Sequence, residues 1–311
     1  MLVPYNRLVT TESAYTTAFQ AEEMKNLQDL GIHGETLPAN QWKREHLFAC
    51  KVHVAPITPA LLPAYADADI SQRQDFDQQV SKFIAGVPAD HVHLFEHELV
   101  HIHGPGLGPV FYALGKVKHT LASSPGLACC DGLSGRRTFY LLTGALRLVL
   151  AYSHPTLLDK ALEVRASLEV HLEAGDIKFA SIDDGGLCTK TIHRMDKRCI
   201  ATIQAKEQVL VHDGQPTVSD KSLSQMTCEA ILAHAIGETV DDSVILVHAA
   251  GHHVCFLEFQ ITESYMTQLV TGKTPDEPLI VVIGKMLDLD TAAGRRGFVD
   301  NVQHLIAKSI F

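Results

Sequence analysis

His97, Glu98 and His101 in "HELVHIHG" have the spacing of a zinc-binding helix. Two imidazoles four residues apart share one helical face, and a glutamate beside the first is placed to serve as general base. A third ligand has to come from further on. The extended form of the motif would carry it at position 107, which is Leu107, and His119, His154 and Glu163 are candidates further on that no spacing singles out. Read as a strand, "HVHLFEHELVHIH" puts His91, His93, His101 and His103 on one face and Val92, Leu94, Val100 and Ile102 on the other, so both conformations remain open. A second chemistry is offered by Cys129 and Cys130, which follow a Pro-Gly loop and precede a helix opened by Asp131. Unpaired N–H groups at a helix N-terminus favour the thiolate, the nucleophilic form.

The elements that must hold these groups change character along the chain. Before the Pro/Gly-rich "GPGLGP" at 104–109, "TESAYTTAFQAEEMKNLQDLG" reads as an amphipathic helix, "HLFACKVHVAP" as a strand and "SQRQDFDQQVSKFIAG" as a second helix. This places a domain boundary between 104 and 105, with a mixed α/β region over 1–104. After it come three expected helices, "PVFYALGKVKHTLA", "DGLSGRRTFYLLTGALRLVLAY" and "TLLDKALEVRASLEVHLEA". Strand-like runs then follow ("DIKFASI", "KTIHRM", "RCIATIQA", "QVLVHDG", "SVILVHAAGHHVCFLEFQ", "PLIVVIGKMLDLD"), interrupted by the helix "SLSQMTCEAILAHAIG" and closed by "FVDNVQHLIAKS". Helices first and an antiparallel sheet second describe an α+β domain over 105–311.

Within that order, "CDGLS" at 130–134 resembles the start of the central helix in papain-like cysteine peptidases, where the nucleophile is followed, after one variable residue, by a small residue, a large apolar one and serine. "AAGHHVCFLEFQ" is similar to the family's histidine strand, with His252 after Gly251, and a short helix precedes that hairpin as in the bacterial effector branch, the YopT-type peptidases. "MLDLDTAAGRRGFVDNVQHLI" follows that branch's last motif in the order Asp288, Asp290, Gly294, Phe298, Leu305, without its proline. The resemblance runs from about residue 105 to the end. It implies a papain-like domain in which Cys130 attacks a carbonyl, His252 pairs with the thiolate and protonates the leaving amine, and Asp288 orients the imidazole. His253, Asp290 and Cys129 are the fallbacks for these three roles. The Cys130 backbone N–H would contribute to an oxyanion hole. The family's glutamine before the cysteine has no counterpart in "LASSPGLA", which leaves Ser123 or Ser124 to supply the second donor.

Composition limits the partners. In 311 residues, 26 basic and 36 acidic side chains give a formal charge of −10, and no Lys/Arg-rich block stands out, which argues against nucleic acid or an anionic membrane surface. No apolar run is long enough to span a membrane, and the N-terminus lacks the pattern of a secretory leader, so cytoplasmic synthesis is expected. Seven cysteines without a CxxC pair read as free thiols. The reading is a thiol hydrolase or acyltransferase (protease, deamidase or transglutaminase) on a protein substrate, without a cofactor. The resemblance implies an effector delivered to a host cell by specialised secretion, with 1–104 recruiting a partner or covering the cleft. A zinc peptidase through His97, Glu98 and His101 is the enzymatic alternative; a binding protein on a degenerate peptidase scaffold is the other.

Overall fold

A computed structural model of the chain describes residues 3–23, 25, 30, 36–56, 58–65, 77–123, 134–153, 160–174, 177–191, 194–237, 243–271 and 273–310. Its elements begin with α1 (Tyr5–Leu8), α2 (Glu12–Ala21), β1 (Thr36–Pro38), α3 (Arg44–Ala49), β2 (Val52–Val54), α4 (Gln78–Ala85), α5 (Glu96–Ser123) and α6 (Ser134–Ser153). A strand-rich stretch follows: β3 (Lys160–Arg165), β4 (Glu169–Ala174), β5 (Ile177–Ile182), β6 (Gly185–Thr191), β7 (Arg194–Lys206), β8 (Leu210–His212) and β9 (Gln215–Thr217). The chain then runs through α7 (Asp220–Ala235), β10 (Ser243–Ala250), β11 (His253–Gln260), α8 (Glu263–Val270), β12 (Leu279–Ile283), β13 (Leu287–Asp288) and α9 (Ala292–Ile310).

The architecture is α+β with mixed sheets. The main sheet has the order β2-β12-β11-β10-β7-β6-β3, and β13 pairs with the start of β11. Side chains of β10 alternate between two apolar cores. Ile245, Val247 and Ala249 join α5, α6 and α9 on one face, while Val244 and Leu246 join α3, α7 and α8 on the other. Covered on both sides, β10 is buried along its whole length, which is why it reads as a nearly unbroken apolar run.

Several sequence expectations are corrected. The sheet is mixed: β7 lies parallel to β10 and β2 parallel to β12. The β7-to-β10 connection carries α7 across one face, and such a crossover returns the chain in the parallel sense. The helix expected over 156–174 is replaced, in its described part, by β3 and β4. Leu162 and Val164 face the core containing α6 while β3 pairs along its length with β6, so period-two burial overrides the leucine spacing. In the strand expected over 46–56, residues up to Ala49 belong to α3, and only Val52–Val54 pair, as β2.

"GPGLGP" is a tight kink. Gly104, at φ 88°, breaks α5 into two helical halves, and a Cβ on Gly108 would meet Val100 N at 2.5 Å. Only glycine lets the halves approach so closely. Residues before the kink share sheets with residues after it, β1 with β5 and β2 with β12. Among the described residues no helix is long and apolar enough to cross a membrane.

Candidate active site

β10 and β11 are joined by the two-residue turn Gly251-His252. Gly251 has φ 59°, the left-handed conformation that a two-residue hairpin turn asks of its first position, and its N–H donates to Lys206 O at 3.1 Å. His252 is thereby held at the tip, and its own carbonyl accepts Leu289 N at 3.0 Å. This bond draws the β13 segment alongside. His252 Nδ1 and Asp288 Oδ1 stand 2.7 Å apart, with side-chain exposures of 17% and 35%.

The Asp288 turn is closed by local bonds. Asp288 Oδ1 also accepts Asp290 N at 2.9 Å, and Asp288 O accepts both Thr291 N at 3.0 Å and Thr291 Oγ1 at 2.9 Å. Burial works against ionising Asp288, but the Asp290 N–H and the bond to His252 hold its pKa below the usual carboxylate value. The carboxylate therefore stays charged at neutral pH and orients the imidazole. Asp290 is turned to a different partner, Lys118 Nζ at 2.8 Å.

His253 begins β11 and stands with its ring centroid 4.4 Å from that of His252. Burial first, and the adjacent His252 second, lower its pKa against the opposing pull of Asp288. The geometry pairs Asp288 with His252 rather than with His253. With Nδ1 engaged by the carboxylate, His252 has Nε2 left to exchange a proton with a nucleophile.

Helix α6 begins close to this corner. It packs over β7 and β10, and a Cβ on Gly135 would stand 3.8 Å from Ala205 O, the residue paired with Ala249 two positions before the turn. Cys129, Cys130 and Ser124, in the segment leading into this helix, lie outside the described residues. The other five cysteines, Cys50, Cys188, Cys199, Cys228 and Cys255, are buried, and none of them is in a disulfide. Burial pushes Cys50 and Cys255 up to about 12 and Cys228 well above its ordinary value, so these three stay protonated.

The "HELVH" segment is helical, and its groups do local work. His97 and His101 are exposed, and Glu98 Oε2 accepts Phe95 N at 2.8 Å as the reciprocal bond of a helix start. His103 turns toward His91, with ring nitrogens 3.1 Å apart. Glu163 pairs with Lys190 at 3.4 Å, and His154 lies outside the described residues. Among the described residues, the group of three ligating side chains with atoms within 4.8 Å of one another is His252, His253 and Asp288.

Sequence reasoning missed Arg295, a 5% exposed arginine whose Nη1 donates to Leu289 O at 2.8 Å while Nε and Nη2 donate to Ile84 O and Ala85 O at 3.1 and 3.0 Å. It ties the Asp288 turn to α4. The signal was faint: Arg295 is one of two adjacent arginines in the first turns of a helix that carries other polar residues.

Beside β13 opens a cleft of about 460 Å³, bordered by Asn6, Arg7, Thr58, Gln215, Lys285 and Met286, with no acidic side chain among its described lining residues. No protein-family model matches the chain, and no curated protein matches it.

Proposed function

We propose that the chain is a thiol hydrolase or acyltransferase acting on amide bonds of a protein substrate, with Cys130 as nucleophile in a papain-like arrangement. The observation that carries this reading is the 2.7 Å contact between His252 Nδ1 and Asp288 Oδ1, beside the strand ends over which α6 begins. The burial of the five other cysteines supports it from a second direction, since Cys129 and Cys130 are the thiols that remain.

In the first step the Cys130 proton passes to His252 Nε2, and the thiolate attacks the amide carbonyl carbon. The carbonyl oxygen becomes an oxyanion, stabilised by the Cys130 backbone N–H. Collapse of the tetrahedral intermediate breaks the C–N bond, and His252 gives its proton to the leaving amine. Asp288 keeps the imidazolium in place through both transfers. Water then releases an acid, giving proteolysis or deamidation; a second amine gives transglutamination.

Residues 1–104 belong to the same reading as the part that recruits a partner or covers the cleft. Action in a host cell, as a bacterial effector, belongs to the same reading. The test is identification of the cysteine that reacts with a thiol-directed electrophile in the folded protein. Labelling confined to Cys130 and lost in Cys130→Ala supports the reading. A folded protein with no reactive cysteine contradicts it and favours a binding protein on this scaffold.

A further inference from the structure

His252, His253 and Asp288 bring three metal-ligating atoms within 4.8 Å of one another at one end of the sheet. All three residues are half-buried. We propose that this group is a reversible site for a zinc-class divalent ion, and that occupancy switches the thiol enzyme off. The regulatory half rests on the proposed function; the binding half does not.

Two imidazoles and one carboxylate form a donor set suited to borderline-soft ions such as zinc, whereas magnesium and calcium prefer oxygen ligands alone. The geometry asks for modest movement. Bonds of about 2.0 Å in a tetrahedron need ligand atoms roughly 3.3 Å apart, so side-chain rotations on the order of an ångström close the group. His252 Nδ1 and Asp288 Oδ1 are already nearer than that, at 2.7 Å. Their backbones are fixed from behind by Leu289 N on His252 O and by the Thr291 bonds to Asp288 O.

His253 supplies an independent indication. Its Nδ1 is buried and has no hydrogen-bond partner among the described residues, although the ring lies against that of its catalytic neighbour. A buried ring nitrogen left without a partner costs free energy, and in the tautomer that carries the proton on Nε2 a bound cation would remove that cost. Three protein ligands leave a fourth position open, the pattern of an accessible rather than a structural zinc site. An ion held there takes the lone pair or the carboxylate that proton transfer from the thiol requires, and a chelator restores both.

The test is a zinc titration of the whole, chelator-treated protein against a chromophoric zinc indicator, with magnesium as control, in wild type, His253→Ala, His253→Gln and His97→Ala. In parallel, the rate of Cys130 labelling is measured with and without one equivalent of zinc, and each variant is compared only with itself. The expected result is one zinc equivalent bound by wild type and His97→Ala, weakened by roughly tenfold or more in both His253 variants, with zinc slowing labelling in wild type and a chelator reversing it. Absence of stoichiometric binding overturns the proposal, as does binding retained in both folded His253 variants. Protein that labels on Cys130 but ignores zinc overturns the switch and leaves the thiol reading intact. Protein that binds zinc through His253 yet has no reactive cysteine upholds the site, and there it is the thiol reading that fails.

Discussion

Gly294 and Asp288 are in backbone contact: a Cβ on Gly294 would fall 2.0 Å from Asp288 O and 2.6 Å from Asp288 N. The start of α9 is thus pressed against the residue that orients His252, and Gly294 N donates to Thr291 Oγ1 at 3.0 Å in the same turn. The glycine is a steric requirement of the His–Asp pair. Gly294→Ala is expected to lower stability by about 1–3 kcal/mol and to lower the Cys130 labelling rate by more than a neutral α9 substitution of equal stability cost. Thermal denaturation and labelling on the same samples check this, and unchanged labelling would mean that Asp288 does not depend on this turn.

Asp288→Asn keeps the shape but replaces a carboxylate by an amide that can also present a donor to His252. The imidazole then loses both its preferred tautomer and the charge that stabilises its protonated form. Turnover, or the labelling rate at neutral pH, is expected to fall by roughly 10²- to 10⁴-fold with little change in melting temperature. Asp290→Asn, which touches Lys118 instead, is expected to stay within a few-fold of wild type. Equal losses in the two variants would contradict the assignment of Asp288.

Glu229 provides a pH signature outside the site. It is 3% exposed on α7, with Oε1 accepting Gln225 Nε2 at 2.9 Å and Gln204 Nε2 at 3.4 Å, and Oε2 has no partner among the described residues. Burial above all, with Asp183 and Asp184 adding to it, raises its pKa from 4.5 to about 8 against the Gln225 bond and Lys206. The folded state therefore keeps a proton that the unfolded state has released. The stability this gives is full below 4.5 and is lost as pH rises to about 8. Glu229→Gln, neutral throughout, removes that slope, so its melting temperature should gain on wild type between pH ~5 and pH ~8. Parallel pH profiles would show that Glu229 is ionised in the fold.

His97→Ala and His101→Ala remove exposed rings from α5. Each is expected to change stability by no more than about 0.5 kcal/mol and to leave Cys130 labelling unaltered. Loss of activity together with loss of bound zinc in either variant would revive the metallopeptidase reading.

Much of this was legible in the sequence because local signals agreed. Gly251 before His252 marks a hairpin tip and the apolar runs on either side mark β10 and β11, whereas the closing helix, expected from Phe298, begins at Ala292. The less legible parts depended on distant neighbours. Leu162 and Val164 acquire strand periodicity only by facing the α6 core, which residues 156–174 do not announce on their own. "GPGLGP" has linker composition, yet its glycines serve a close helix–helix approach between Gly108 and Val100. "HELVH" has the local spacing of a zinc site, but a metal site is a three-dimensional set of ligands, and the three ligating side chains brought together among the described residues are His252, His253 and Asp288.

The central claim is that the His252–Asp288 pair activates the thiol of Cys130. The most direct measurement is the pH dependence of Cys130 labelling in wild type and His252→Ala. A thiolate paired with an imidazolium reacts well below the ordinary thiol pKa of about 8.5, so the wild-type profile should begin to rise at acidic pH and flatten before pH ~7. In His252→Ala the rise should move up toward that ordinary value. Superimposable profiles for the two proteins would contradict the account, because Cys130 would then ionise without reference to the histidine placed beside Asp288.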